Sequence, residues 1–327
     1  MGSHDHTILR NGKRISNPRE QWDRNGTAEQ DLNEDLTLQE YLSYDEIMLS
    51  SLIGVSGPSY FINDGARSNC GRLGKEGSFE DRGVIVGLVG ARFEREDRMD
   101  SVFVLPSVEK PKQHPELTRI FGEFFGVQRD GESGEFDGAV YRARMRITAD
   151  ILLLEADARA REDEEGRAAY VYVVGLGLGV WQYSAEQTDW YVQACVEAID
   201  ALPEGHKIRT IEFAWIERNL SPQYRELAEE AGKNQGIKVI FSNRNPAAKL
   251  EDSRKQLLVL SYAWDGNAFP GNEYWQGSLM GSGDPAAACM STIGELHNPL
   301  INPYTNRIIA AGEMDSSRYS RVYSTGT

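Results

Sequence analysis

The residues best equipped for chemistry lie between Leu257 and Met290, in the stretch LLVLSYAWDGNAFPGNEYWQGSLMGSGDPAAACM. An apolar run feeds Trp264-Asp265-Gly266-Asn267, then Pro270-Gly271-Asn272-Glu273, then Gly281-Ser282-Gly283-Asp284-Pro285. Three acids (Asp265, Glu273 and Asp284), two asparagines and five glycines fall within twenty positions. Asn and Asp bond their own backbone in turns, so part of this density is turn chemistry. Asp284-Pro285 also reads as a helix N-cap followed by proline at the first helical position. Turn chemistry does not explain why Trp264, Phe269, Tyr274 and Trp275 are interleaved with the acids. Aromatic rings beside carboxylates make a pocket that stacks on a planar ring and raises a carboxyl pKa.

A second set of residues is suited to phosphate. Tyr170–Trp181 reads YVYVVGLGLGVW, a β-type run that empties into Gly175-x-Gly177-x-Gly179 ahead of a helical segment. At the carboxyl end of a parallel strand, glycines let the backbone approach a phosphate closely, and free N–H groups supply the donors. Gly175, Gly177, Leu178, Gly179, Val180 and Trp181 are the candidates. The dinucleotide fingerprint is not met, because position 180 is Val, and no Walker lysine follows. A tight strand-to-helix turn needing positive φ explains the same glycines equally well.

The surrounding elements read as an alternation. Apolar runs at 84–89, 101–105, 170–174, 208–215, 237–241 and 257–262 predict strands. Helical spacing marks 115–127, 141–161, 185–202 and 222–233, and the small-residue run after Pro285 reads as a closely packed helix. Short strands alternating with helices call for a largely parallel sheet covered on both faces. Residues 1–35 are polar and read as a flexible leader. Residues 36–83 read as an extension of one or two short helices (36–52) and an ordered loop (54–83), and 84–327 as a single α/β domain.

Composition narrows the partners. A formal net charge of -15 without a basic stripe argues against a nucleic-acid partner, while backbone N–H groups leave anionic small molecules open. Cys70, Cys195 and Cys289 show no CxxC spacing and suit reduced thiols, and the histidines are isolated or crowded into MGSHDH, so no metal is expected. No run approaches the roughly 18 apolar residues of a membrane helix, and no signal-peptide pattern opens the chain. A soluble intracellular protein is expected, with no membrane partner and no cofactor.

Taken together, these blocks resemble the macrodomain-type ADP-ribosyl hydrolases. The likeness is to a divergent branch that includes bacterial effectors removing ADP-ribose from arginine, one of them acting on ubiquitin. It is carried by Tyr262–Trp275, Ser282–Cys289, Asn298–Pro303, Val89–Glu94 and Val173–Trp181. It implies a three-layer α/β/α fold with a mixed sheet, here preceded by an N-terminal helical extension, with ADP-ribose in a cleft at the strand ends. Ordinary macrodomains place the asparagine-bearing ribose loop before the phosphate loop; here it follows, which implies a permuted order.

By that resemblance Gly175–Trp181 holds the diphosphate, and Asp265, Asn267 and Glu273 address the distal ribose. Trp264, Gly266, Gly271, Asn272, Ser282 and Gly283 join them as ligand contacts. Cleaving the C1″ linkage develops oxocarbenium character that one carboxylate stabilises, while a second positions water or protonates the leaving group. Asp265 and Glu273 are the expected working acids, and Asp284 a third. The expected partners are ADP-ribose and an ADP-ribosylated protein, with ubiquitin a candidate, in a cytoplasm that could be a host's. Two rivals stand beside this. One is a reader that binds ADP-ribose without cleaving it. The other is a nucleotide-dependent enzyme such as a methyltransferase, for which Glu212 would have to hold a ribose.

Overall fold

The computed structural model describes residues 7–8, 13–15, 18–24, 27–36, 54–93, 96–98, 100–106, 112–125, 135–179, 181–264 and 284–291. In chain order these form β1 (Thr7–Ile8), β2 (Arg14–Ile15), α1 (Pro18–Arg24), β3 (Gly54–Tyr60), β4 (Arg82–Leu88), α2 (Ser101–Val104) and α3 (Pro115–Phe125). There follow α4 (Gly138–Glu162), β5 (Ala168–Val174), α5 (Gln187–Asp200), β6 (Ile208–Ala214), α6 (Pro222–Asn234), β7 (Lys238–Ser242), β8 (Gln256–Ala263) and α7 (Asp284–Met290). They divide into two compact units, one holding 1–52 with 91–144 and the other 53–90 with 145–327.

The smaller unit is held by buried cations and stacked rings. The Arg98 guanidinium pairs with Asp97 at 3.0 Å and donates to the Asp23 carbonyl. Arg144 pairs with Asp100 at 3.2 Å, and the other Asp100 oxygen accepts the Arg92 N–H at 2.7 Å. Phe93, Phe136 and Tyr141 pack ring against ring. The polar stretch read as a leader contains α1, and the Gln21 side chain accepts the Asp35 and Leu36 N–H groups at 3.0 Å each. Residues 101–105, expected as a strand, make one helical turn instead. The Asp100 carbonyl accepts the N–H groups of Phe103 and Val104, and a four-residue apolar run carries no period of its own to resist this.

The larger unit is built on a six-stranded sheet in the order β3-β4-β8-β5-β6-β7. β3 is antiparallel to β4, and all other pairs are parallel. The sheet is thus mixed, as a macrodomain-like α/β fold requires. β3 falls where the sequence suggested loop. Its Gly54, Gly57 and Pro58 mimic turn composition, and an edge strand tolerates them. β4, β5 and β8 carry near-continuous apolar runs because both of their faces are covered.

On one face Thr148, Ala149, Leu152 and Leu153 of α4 and Tyr191, Cys195 and Ile199 of α5 close over Leu88, Val173, Ile211 and Phe213. α6 crosses β7 so tightly that a Cβ on Gly232 would lie 2.4 Å from Val239. On the other face Phe61 packs beside Gly83, and the segment that follows it clasps α7. Asn63 donates to the Cys289 carbonyl and Asn69 to the Ala286 carbonyl, both at 3.1 Å. The Ile62 N–H takes the Met290 carbonyl at 2.8 Å, so the end of α7 is capped from outside the helix.

Candidate functional site

The C-terminal edge of the five parallel strands is where the chain can hold a ligand, and there the sheet forks. The β5–β8 ladder stops at the pair Tyr172–Leu260. On either side the ladders run further, to Leu88–Ala263 between β4 and β8 and to Val174–Ala214 between β5 and β6. Ser261, 1% exposed, fills the gap: its hydroxyl donates to the Tyr172 carbonyl at 2.8 Å and accepts the Val174 N–H at 3.1 Å. The connections diverge at the same point. After β5 the chain goes to β6, whereas after β8 it goes to α7, which is clasped to the residues that follow β3. Divergent connections beside a strand gap are the crevice in which open α/β sheets take their ligands.

Three chain segments surround this fork. Trp264, buried, continues β8 and gives its N–H to the Leu88 carbonyl at 2.9 Å. The turn after β4 reaches over the end of β8 to the glycine loop after β5. A Cβ on Gly90 would stand 3.1 Å from the Leu176 Cβ, so a side chain there would force the loop to give way. Within the loop Gly177 has φ +72°, the left-handed conformation glycine permits, and the Trp181 side chain lies over its Cα. Gly175 and Gly179 have no positive φ, so of the three glycines one meets the turn requirement. Among the described residues, the N–H groups of Leu176, Gly177, Leu178 and Gly179 donate to no protein acceptor. Successive unspent N–H groups around a left-handed glycine form a concave anion-binding nest.

The sequence reading missed the aromatic wall. Trp215 follows β6 with φ +63°, a strained backbone for a bulky side chain, and is 60% exposed. It is nonetheless fixed at both ends. Its N–H donates to the Ser242 carbonyl at 2.8 Å and its indole to the Arg244 carbonyl at 3.1 Å. Arg244 is itself anchored by Glu212, which is 1% exposed: the guanidinium meets the carboxylate at 2.7 Å and 3.0 Å and lies over the Tyr170 and Tyr172 rings. Tyr170 donates to the same carboxylate at 2.9 Å, and Ser242 donates to it as well. Burial alone would lower the Arg244 pKa, but the bonds to Glu212 and its charge outweigh it and hold the guanidinium above its usual value. Burial pushes the Tyr170 and Tyr172 phenols up. Glu212 is therefore spent within the fold, and a methyltransferase-type ribose contact through it has no free oxygen to use. A tryptophan one residue beyond β6, at the sheet edge already assigned to the glycine loop, was the signal available in the sequence.

Of the candidates named from sequence, Gly175, Gly177, Leu178, Gly179, Trp181 and Trp264 are brought together here. Asp284 is the first residue of α7, in keeping with its position at a helix start. Val180, Asp265, Gly266, Asn267, Gly271, Asn272, Glu273, Ser282 and Gly283 lie outside the described residues. The chain enters 265–283 from Trp264 at the fork and leaves it into α7. Among the described residues no group of His, Cys, Asp and Glu could hold a metal ion, and no helix is long and apolar enough to cross a membrane.

Comparison with known proteins gives this edge a context. Two Drosophila melanogaster proteins named ADP-ribosylarginine hydrolase, CG3568 and CG2909, are 38% and 36% identical to the chain over 307 and 305 residues. Each alignment covers 82% of this chain and 60% of the relative, so the chain spans about three fifths of their length. The profile of the MavL-like ADP-ribosylhydrolases matches residues 1–114 and 116–315, taking in the glycine loop, the fork and the acidic stretch alike. The chain belongs to the MavL-like ADP-ribosylhydrolase family.

Proposed function

We propose that the protein removes ADP-ribose from modified arginine, holding the nucleotide at the forked edge of the sheet. The observation that carries this reading is the glycine loop with four unspent N–H groups beside the β5–β8 gap. It is built for a diphosphate, and no basic side chain is needed to hold one there. Trp215 offers a fixed aromatic face on the next strand over, suited to a planar base. The acidic stretch then addresses the other end of the ligand. Water attacks C1″ and the bond to the guanidine nitrogen breaks. Asp265 or Glu273 takes the proton from water while a carboxyl returns one to the leaving group, and the developing positive charge on the ribose is stabilised by carboxylate. Asp284 is the third candidate acid. The names of the two Drosophila relatives support the arginine linkage.

Free thiols at Cys70, Cys195 and Cys289 suit action in a reducing cytoplasm, including one reached by delivery into a host. Ubiquitin is one candidate carrier of the arginine, by the resemblance of the acidic stretch. The decisive assay follows ADP-ribose release from proteins modified on arginine, on serine and on glutamate, with arginine-modified ubiquitin among them. Release from the arginine substrates alone, abolished by Asp265→Ala/Glu273→Ala, is expected. Release that survives the double substitution would remove these acids from the reaction. Binding of ADP-ribose without release from any substrate would make the protein a reader.

A further inference from the structure

The glycine loop is clipped at both feet by one face of α5. Gln187 and Tyr191 are four residues apart, so their side chains project from the same side of the helix one turn from each other. The Tyr191 hydroxyl donates to the Val174 carbonyl at 2.7 Å, where the loop begins. The Gln187 side chain is fully buried and holds the far end with three bonds. Its amide nitrogen donates to the Trp181 carbonyl at 3.1 Å, and its oxygen accepts the N–H groups of Tyr183 at 2.7 Å and Ser184 at 3.3 Å. With the Ser184 hydroxyl accepting the Glu186 N–H at 3.2 Å, the Gln187–Ser184 bond completes a capping box at the start of α5, while the Trp181 and Tyr183 bonds reach beyond the helix to the loop. Between the two feet lie the residues whose N–H groups have no described acceptor.

A glycine-rich loop is costly to order, because each glycine in it loses more backbone freedom than any other residue type. If the cost fell due on binding, it would be subtracted from affinity. We propose that Gln187 is a positioning residue for the hydrolase: it fixes residues 181–184 so that the anion nest exists before the ligand arrives, with Tyr191 doing the same at Val174. Gln187 touches no reacting atom, and its effect passes entirely through the loop. This inference rests on the reading of the loop as the diphosphate site.

The test uses the full chain with Gln187→Leu, Gln187→Glu and Tyr191→Phe, measuring free ADP-ribose binding by calorimetry, steady-state rates on an arginine-modified protein, and amide exchange in the unliganded protein. Gln187→Leu is expected to weaken ADP-ribose binding about tenfold and to raise KM with kcat within about twofold. The Tyr183 and Ser184 amides should lose protection from exchange. Gln187→Glu should fall between, because its carboxylate still accepts both N–H groups but faces the Trp181 carbonyl without a donor. Tyr191→Phe removes a single hydroxyl and should weaken binding by a few-fold even if Gln187→Leu fails to fold. Variants that lose thermal stability yet bind ADP-ribose as the wild type does would show a structural role only and overturn the proposal. Wild-type protein that fails to bind ADP-ribose at all would instead overturn the diphosphate reading beneath it.

Discussion

Replacing Glu212 should cost more stability than any single exposed ion pair of this protein, and the size of the loss follows from its contacts. Glu212 sits at 1% exposure and receives three bonds from Arg244, one from Tyr170 and one from Ser242. In Glu212→Ala the guanidinium loses its counter-charge, and the Tyr170 hydroxyl loses its acceptor. Breaking a buried pair by removing one partner costs about 3–5 kcal/mol. Arg244 keeps its 2.6 Å bond to the Ala248 carbonyl, its two tyrosine faces and a 21% exposed side chain, which places the loss near the lower limit, about 3 kcal/mol. At 2–4 °C per kcal/mol, Tm should fall by roughly 6–12 °C. Glu212→Leu/Arg244→Met exchanges the whole pair for apolar volume and should recover most of that loss, so that the two single effects do not add. Urea unfolding of the wild type, Glu212→Leu, Arg244→Met and the double measures the cycle, with Glu212→Ala beside it. A Glu212→Ala loss below about 1 kcal/mol, or singles that sum to the double, would refute the claim that this pair locks the ends of β6 and β7.

Trp215→Ala should weaken ADP-ribose binding by about 1–3 kcal/mol, the usual worth of a base stacked on an aromatic ring. Trp215→Gly should weaken it similarly while stability holds or rises, because glycine adopts φ +63° without strain; calorimetry and thermal melts separate the two effects. Gly90→Val should push Leu176 out of place, raising KM by steady-state kinetics and lowering stability by about 1–3 kcal/mol through overpacking. Cys195, whose thiol burial pushes up to about 12, and buried Cys289 should resist maleimide at pH 8, leaving Cys70 as the labelled site by mass spectrometry. The Arg167 hydrogen bond holds the Asp163 carboxyl below the usual range, so it adds stability above the unfolded-state pKa that is lost as pH falls through the folded one. Asp163→Asn should therefore cost roughly 1.5–3 kcal/mol at neutral pH and progressively less as the pH falls through the folded-state value, measured by urea titration along a pH series.

Where burial and periodicity agree, the fold was legible in the sequence. The segments expected at 170–174, 208–215 and 257–262 are β5, β6 and β8, and those at 141–161 and 222–233 are α4 and α6, each displaced by no more than a few residues. What was not legible depends on partners distant in sequence. β3 gains strand character from its register with β4 and its place at the edge, against its own Gly and Pro content. The turn at Ser101–Val104 comes from the Asp100 carbonyl rather than from its Val-Phe-Val run. At the site, the glycines and Trp264 announced themselves by type and position. Ser261, Gln187 and Trp215 did not, because a serine in a strand, a glutamine in a first turn and a tryptophan after a strand are ordinary until the fork gives them a shared place.

The most direct test of the account is a calorimetric titration of free ADP-ribose into the wild type, Trp215→Ala and Asp265→Ala/Glu273→Ala. The account predicts saturable one-site binding by the wild type, about fivefold or greater weakening by Trp215→Ala, and retained binding by the double acid variant even as its release of ADP-ribose from arginine stops. Absence of binding by the folded wild-type protein would contradict the assignment of the forked sheet edge as a nucleotide site.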